Sequence, residues 1–204
     1  LVNPQGMVFG PGAQIDVGSL VATTLDLAND DFMQGHYVLN NPGSGNVSNA
    51  GDIRASNGGF VVLAGAENVS NTGIIAARLG DIVLASGSTM TLDLNGNGLV
   101  NFSINAASLS DKAGVANLGD LIAQGGTVIM TASTARELVG AAVNNSGRIS
   151  AAGIEERGGE IFLTASGPAA DIVNHGSLDA SGATGFDGGD ILIHADRNVE
   201  LGSA

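Results

Sequence analysis

Along most of the chain, apolar residues alternate with polar ones for a few positions and then stop at Asn and Gly. The alternation resolves into a nine-residue unit, V/I-x-N-x-G-x-I/L-x-A, which occurs five times. Its first copy runs from Val47 to Ala55, and its third position is held by Asn49, Asn71, Asn117, Asn145 and Asn174. Each copy leads through a Gly-bearing corner into a second unit, G-x-V/I-x-L/M/I-x-A/G/S, beginning at Gly59, Gly80, Gly126, Gly159 and Gly189. A two-residue period puts Ile53 and Ala55 on one face of a strand and Asp52 and Arg54 on the other. Three short strands and their corners make one coil of about 20–30 residues, and repetition at that scale predicts an all-β solenoid, a parallel β-helix. Coils then stack at roughly 4.8 Å, with Ile, Val and Leu in columns inside.

The two faces of the predicted strands differ. In the first unit the outward pairs after Asp52/Arg54 are Ile74/Ala76, Asp120/Ile122, Arg148/Ser150 and Ser177/Asp179. They are mostly polar, so that sheet meets water. In the second unit the outward middle position is apolar every time: Val62, Val83, Ile129, Phe162 and Leu192. A strand apolar on both faces is normally covered on both, and a bare stripe of this size marks an interaction surface. Two interruptions of the repeat offer covers. Residues 88–114 read as a β-hairpin turning at Asn95-Gly96-Asn97-Gly98. Residues 133–143 read as a short helix capped by Ser133 or Thr134. Whatever these extra-helical pieces leave bare is the candidate partner surface. The opening 45 residues hold strand-like runs at 14–17 and 20–27, then a helical turn at 29–34 with Asn29 as its cap.

The Asn column admits two readings: a row of polar ligands, or corner chemistry in which stacked amides bond to the coils above and below. Buried corner groups need partners, which favours the structural column. The loops 152–158 and 181–188 are longer than their counterparts and are either a binding edge or neutral length variation.

Composition narrows the picture. Hydrophobic residues make up 44% and aromatics only 3%, which suits narrow layered packing over a bulky centre. The formal charge of −13, with seven Lys and Arg, argues against a phosphate-tracking surface and hence against nucleic acid. There is no Cys, so neither a disulfide framework nor thiolate chemistry is available. With no Met before Leu1-Val2-Asn3-Pro4, a mature chain or an excised fragment is expected. Asp93-Leu94-Asn95-Gly96-Asn97-Gly98 imitates a calcium loop, but the twelfth position is Ile104, without the bidentate Glu. His36, His175 and His194 lack zinc-ligand spacing, and neither cofactor nor metal is expected. One constellation looks like an enzyme's: Arg54 and Arg148 with Asp52, Asp120 and Asp179 on one outward face, as in β-helices that cleave acidic polysaccharide.

The most specific stretch is the opening. Asn3-Pro4-Gln5-Gly6-Met7-Val8-Phe9-Gly10, followed by Ala13-Gln14-Ile15-Asp16-Val17-Gly18-Ser19-Leu20-Val21-Ala22-Thr23-Thr24, closely resembles the filamentous-haemagglutinin-type N-terminal secretion domain of two-partner-secretion exoproteins. Gln5 stands where that family's N-P-N-G motif has its second Asn. The similarity continues through the V-x-N-x-G-x-I-x-A coils. The resemblance implies a right-handed parallel β-helix over a single domain, 1–204, with secretion-domain coils to about 167 and haemagglutinin-type repeats beginning in 168–204. It implies a non-enzymatic domain recognised by the periplasmic domains of an outer-membrane transporter, exported unfolded and folded outside a Gram-negative cell. It implies display as a surface adhesin that meets host-cell or matrix glycans and proteins through downstream regions. It also places Asn3, Pro4, Gln5 and Gly6 in the secretion signal; a purely structural turn is the alternative for those four. The rival functions are a carbohydrate-active β-helix enzyme and a passive structural solenoid.

Overall fold

A computed structural model describes residues 1–35, 37–40, 43, 45–92, 104–105, 114–134, 141–154 and 157–202 of the chain. The first coil is β1 (Met7–Phe9), β2 (Gln14–Val17) and β3 (Leu20–Thr23). An excursion follows, made of β4 (Asp26–Leu27), α1 (Asn29–Met33) and β5 (Tyr37–Asn40). The second coil is β6 (Val47–Asn49), β7 (Asp52–Ala55) and β8 (Phe60–Gly65), and the third is β9 (Asn68–Asn71), β10 (Ile74–Ala77) and β11 (Asp81–Ser86). A second excursion carries β12 (Thr89–Leu92) and β13 (Ile104–Asn105). The fourth coil is β14 (Gly114–Asn117), β15 (Asp120–Ile122) and β16 (Thr127–Ser133). Then come β17 (Val143–Asn145), β18 (Arg148–Ser150) and β19 (Glu160–Ser166) as the fifth. The sixth is β20 (Asp171–Asn174), β21 (Ser177–Asp179) and β22 (Ile191–Ala195), and β23 (Asn198–Leu201) starts another turn.

Equivalent strands pair in parallel, one coil on the next. The first sheet runs β1-β6-β9-β14-β17-β20-β23, the second β2-β7-β10-β15-β18-β21, and the third β3-β8-β11-β16-β19-β22. Register follows the repeat: Ile53, Ile75, Leu121 and Ile149 are successive partners in the second sheet. With Val47, Val69, Val115 and Val143 from the first sheet and Leu63, Leu84, Met130 and Leu163 from the third, they fill one continuous core. This is a parallel β-helix, as the alternation predicts.

Both described excursions leave the helix at the same corner, between third and first sheets. Their strands combine into one antiparallel sheet, β13-β12-β5-β4, lying on the outer face of the third sheet. The hairpin expected near 88–114 is therefore present as β12 against β13, with Met90 opposite Ile104; its turn lies outside the described residues. One expectation needs correction. The run at 20–27 is not one strand. It breaks at Thr24 and Leu25, where Thr23 Oγ1 accepts the Leu25 N–H at 2.9 Å and Thr24 Oγ1 accepts the Ala66 N–H at 3.0 Å. These bonds turn the chain out of the third sheet and into the covering one. Of the helix expected at 133–143, residues 135–140 lie outside the described residues, and only its bounds are seen. Ser133 closes β16 and Val143 opens β17, while Thr134 donates its backbone N–H to Ser166 O at 2.8 Å in the next coil.

Candidate functional site

The opening residues form a corner built from two chain segments. Gly6 N–H donates to Asn3 O at 3.0 Å, closing a four-residue turn. Asn3 Nδ2 donates to Gly6 O at 2.9 Å, and Asn3 Oδ1 accepts the Gln5 N–H at 3.1 Å. Among the described residues Leu79 alone, besides glycines, has positive φ, so Gln5 does not. That fits a type I turn, which takes Asn first, Pro second and Gly fourth, and excludes type II. The turn continues the coil architecture. Val2 bridges Thr23 in parallel, Asn3 N–H donates to Thr23 O at 3.0 Å, and Met7 N–H donates to Asn46 O at 2.8 Å. The chain thus comes alongside the free edge of β3, rounds the corner at Asn3–Gly6 and enters β1. The other half of this corner is Gly43, Gly45 and Asn46; the run 40–45 reads as a turn in the sequence, but nothing local shows that it lies against the opening residues. The pairing of Met7 with Val47 is the register that brings it there.

The Asn column is a buried hydrogen-bonded ladder. Asn49 Nδ2 donates to Asn71 Oδ1 at 2.8 Å, Asn71 to Asn117 at 2.9 Å, Asn117 to Asn145 at 2.8 Å and Asn145 to Asn174 at 2.7 Å. All four bonds point the same way. Phe9 pairs with Asn49 below the ladder and Leu201 with Asn174 above it, so both ends close on apolar residues. Each amide is at most 6% exposed, which leaves no ligand-facing row. The following glycines stack as tightly: a Cβ on Gly73 or Gly119 would overlap the carbonyl of the glycine one coil below.

The apolar stripe is covered at one end and bare at the other. Val62 and Val83 are fully buried beneath Leu25, Leu39, Met90 and Leu92, with Leu27 and Tyr37 at the margin. Ile129 is half-buried against this cluster. Phe162 is half-buried, and Leu192 is 50% exposed. The cover comes as much from residues 25–40 as from the second excursion. An apolar groove of about 310 Å³ remains beside it, lined in part by Leu1, Val2, Val21, Leu27 and Tyr37.

The enzyme-like constellation does not assemble. Arg54 holds Asp52 at 2.6 Å and Arg148 holds Asp120 at 3.2 Å. Ile74 stands between the two carboxylates in the sheet register. Hydrogen bonds from Ser181 hold the Asp179 carboxyl below its ordinary value. A general acid needs the opposite, a raised pKa. The same downward shift at Asp171 comes from Arg197. His175 lies 3.1 Å from Glu200, and His194 lies 3.6 Å from Asp196. His36 lies outside the described residues.

A three-sided parallel β-helix with its stripe partly roofed by an antiparallel sheet, and no convergent acid–base pair among the described residues, defines a solenoid domain. The family model for the TPS secretion domain matches residues 1–180. The chain belongs to that family, the secretion domain of two-partner-secretion exoproteins, which leave the cell through an outer-membrane transporter. The family is not one of enzymes. Among solved structures, the HMW1 secretion domain from Haemophilus influenzae is similar, with a TM-score of 0.68 at 24% identity. The match covers 89% of this chain and 53% of that one, so the chain spans about half that structure's length. No curated protein matches the sequence.

Proposed function

We propose that this domain serves as the recognition segment and first shaft of a surface-displayed exoprotein, and that Asn3-Pro4-Gln5-Gly6 is read by the periplasmic domains of its transporter. The family match over residues 1–180 carries the reading. The coils from residue 168 onward begin the shaft that holds downstream, partner-binding regions away from the cell. Two features support export as an unfolded chain. There is no Cys to form a premature disulfide, and coil-on-coil stacking lets folding propagate from one end.

The test is export of the polypeptide with and without its cognate transporter, for wild type and Asn3→Ala. Transporter-dependent export that falls several-fold in Asn3→Ala supports the assignment. Equal export of both removes the opening turn from the signal.

A further inference from the structure

We infer that Gly43 and Gly45 are positioning residues for the opening turn: they seat it in the folded domain and engage its backbone, so a partner can grip that backbone only while the second coil is open. The inference rests on the reading of Asn3–Gly6 given above and adds the element that controls access to it.

The geometry is that of one rung lying directly on another. A Cβ on Gly43 would overlap the Pro4 backbone, and a Cβ on Gly45 would overlap Gln5 C and Gly6 N. A Cβ on Gly6 itself would come within 2.8 Å of Asn46 O, and Gly6 has φ +106°. No side chain fits between the two segments from either side. The hydrogen bonds run across the same seam. Gly45 N–H donates to Pro4 O at 3.1 Å and Met7 N–H to Asn46 O at 2.8 Å, while Gly43 N–H is held beside the seam by Thr24 O at 3.1 Å. Together with the bonds inside the turn and from Asn3 N–H to Thr23 O, they engage Asn3 N–H and C=O, Pro4 C=O, Gln5 N–H, Gly6 N–H and C=O and Met7 N–H, groups that an extended segment would offer to a partner strand. The side chains of Asn3, Pro4 and Gln5 stay at the surface. Reading this stretch as extended chain therefore requires the corner to open first. Gly43 also ends the excursion that begins at Thr24, which ties closure of the seat to docking of β4, α1 and β5.

Gly45→Ala and Gly43→Ala test the seat in the full polypeptide. Gly18→Ala, in the first coil with nothing within 4 Å of its Cβ position, is the control. In either seat variant, amide exchange at residues 3–7 is expected to rise by roughly tenfold or more while the core strands of coils three to five keep their protection. The second readout is capture of folded and of denatured chain by the transporter's purified periplasmic part. Folded wild type and Gly18→Ala should be captured at least about tenfold less than denatured chain, and a folded seat variant should regain most of that difference. If both seat variants misfold, the comparison of folded with denatured wild type still decides the masking. Wild-type exchange rates in folded Gly45→Ala, or equal capture of folded and denatured wild type, would overturn the inference. Failure of the reading it rests on looks different: denatured Asn3→Ala would be captured as well as denatured wild type, while exchange at the seat still responds to Gly45→Ala.

Discussion

Asn117 shows what a buried polar residue needs in order to be tolerated. Its Oδ1 accepts from Asn71 and its Nδ2 donates to Asn145 and to Gly119 O. Asn117→Ala removes both neighbours' partners and should lower stability by about 2–4 kcal/mol, since each unsatisfied buried group costs about 1–3. Asn117→Asp keeps the acceptor for Asn71 but sets oxygen against Asn145 Oδ1, so it should also destabilise at neutral pH. Urea unfolding midpoints check both. Leu79 is the reverse case. Its φ of +57° places a leucine where the neighbouring coils carry Gly58 and Gly125, both at positive φ. Leu79 N–H still donates to Gln124 O at 2.9 Å, so stacking enforces the conformation. Leu79→Gly should raise stability by up to about 1 kcal/mol, the strain released less the added chain entropy; an unchanged or lower midpoint would show that its side chain contributes more than the strain costs. At Asp171, Arg197 depresses the carboxyl below 3.8. A depressed folded-state pKa gives stability that is present above the ordinary value and lost as pH falls below it. Asp171→Asn should therefore flatten the acid limb of stability below about pH 4. The effect is small because the pair is solvent-screened.

Among the elements, the antiparallel roof decides which apolar residues are core. Met90 and Leu39 are each 2% exposed on its underside. Met90→Ala or Leu39→Ala should cost about 2–5 kcal/mol through lost burial and a cavity. Leu192→Ala, on the bare end of the same stripe, should change stability by no more than about 0.5 kcal/mol. Thermal unfolding separates the two classes, and binding of a hydrophobic dye should rise in the roof variants alone. In the sequence these positions share one pattern, because Val62, Val83 and Leu192 all occupy the same place in the repeat. The alternation makes the coils legible, since a strand buried on one face must repeat every second residue. It does not say which segment covers the other face. Tyr37-Val38-Leu39-Asn40 looks like any coil strand, and only its antiparallel pairing with Thr91 and Met90 takes it out of the helix.

On the scale of the whole molecule, each coil stacks only on the coils to either side of it. Leu201 pairs with Asn174 and takes the place of the next Asn in the ladder. At the opening end the edge of β3 is occupied by Leu1 to Asn3. Neighbour-only contacts predict that destabilising one coil loosens its immediate partners first. Ile149→Ala should therefore raise amide exchange in β15, β18 and β21 more than in β2 or β7, which exchange mass spectrometry resolves. What the sequence by itself determined is periodic: the three-strand coil, the inward columns and the spacing of the asparagines. Each of these follows from chemistry between residues a few positions apart. What only the tertiary structure decided is non-periodic and long-range. The first coil carries Phe9 where later coils carry Asn, so its strand β1 escapes the repeat, and the fit of Gly45 against Gly6 joins segments that no local pattern connects. Corners and covers depend on which distant backbone comes close enough to exclude a Cβ or complete a hydrogen bond, and stacking the coils is what brings them together.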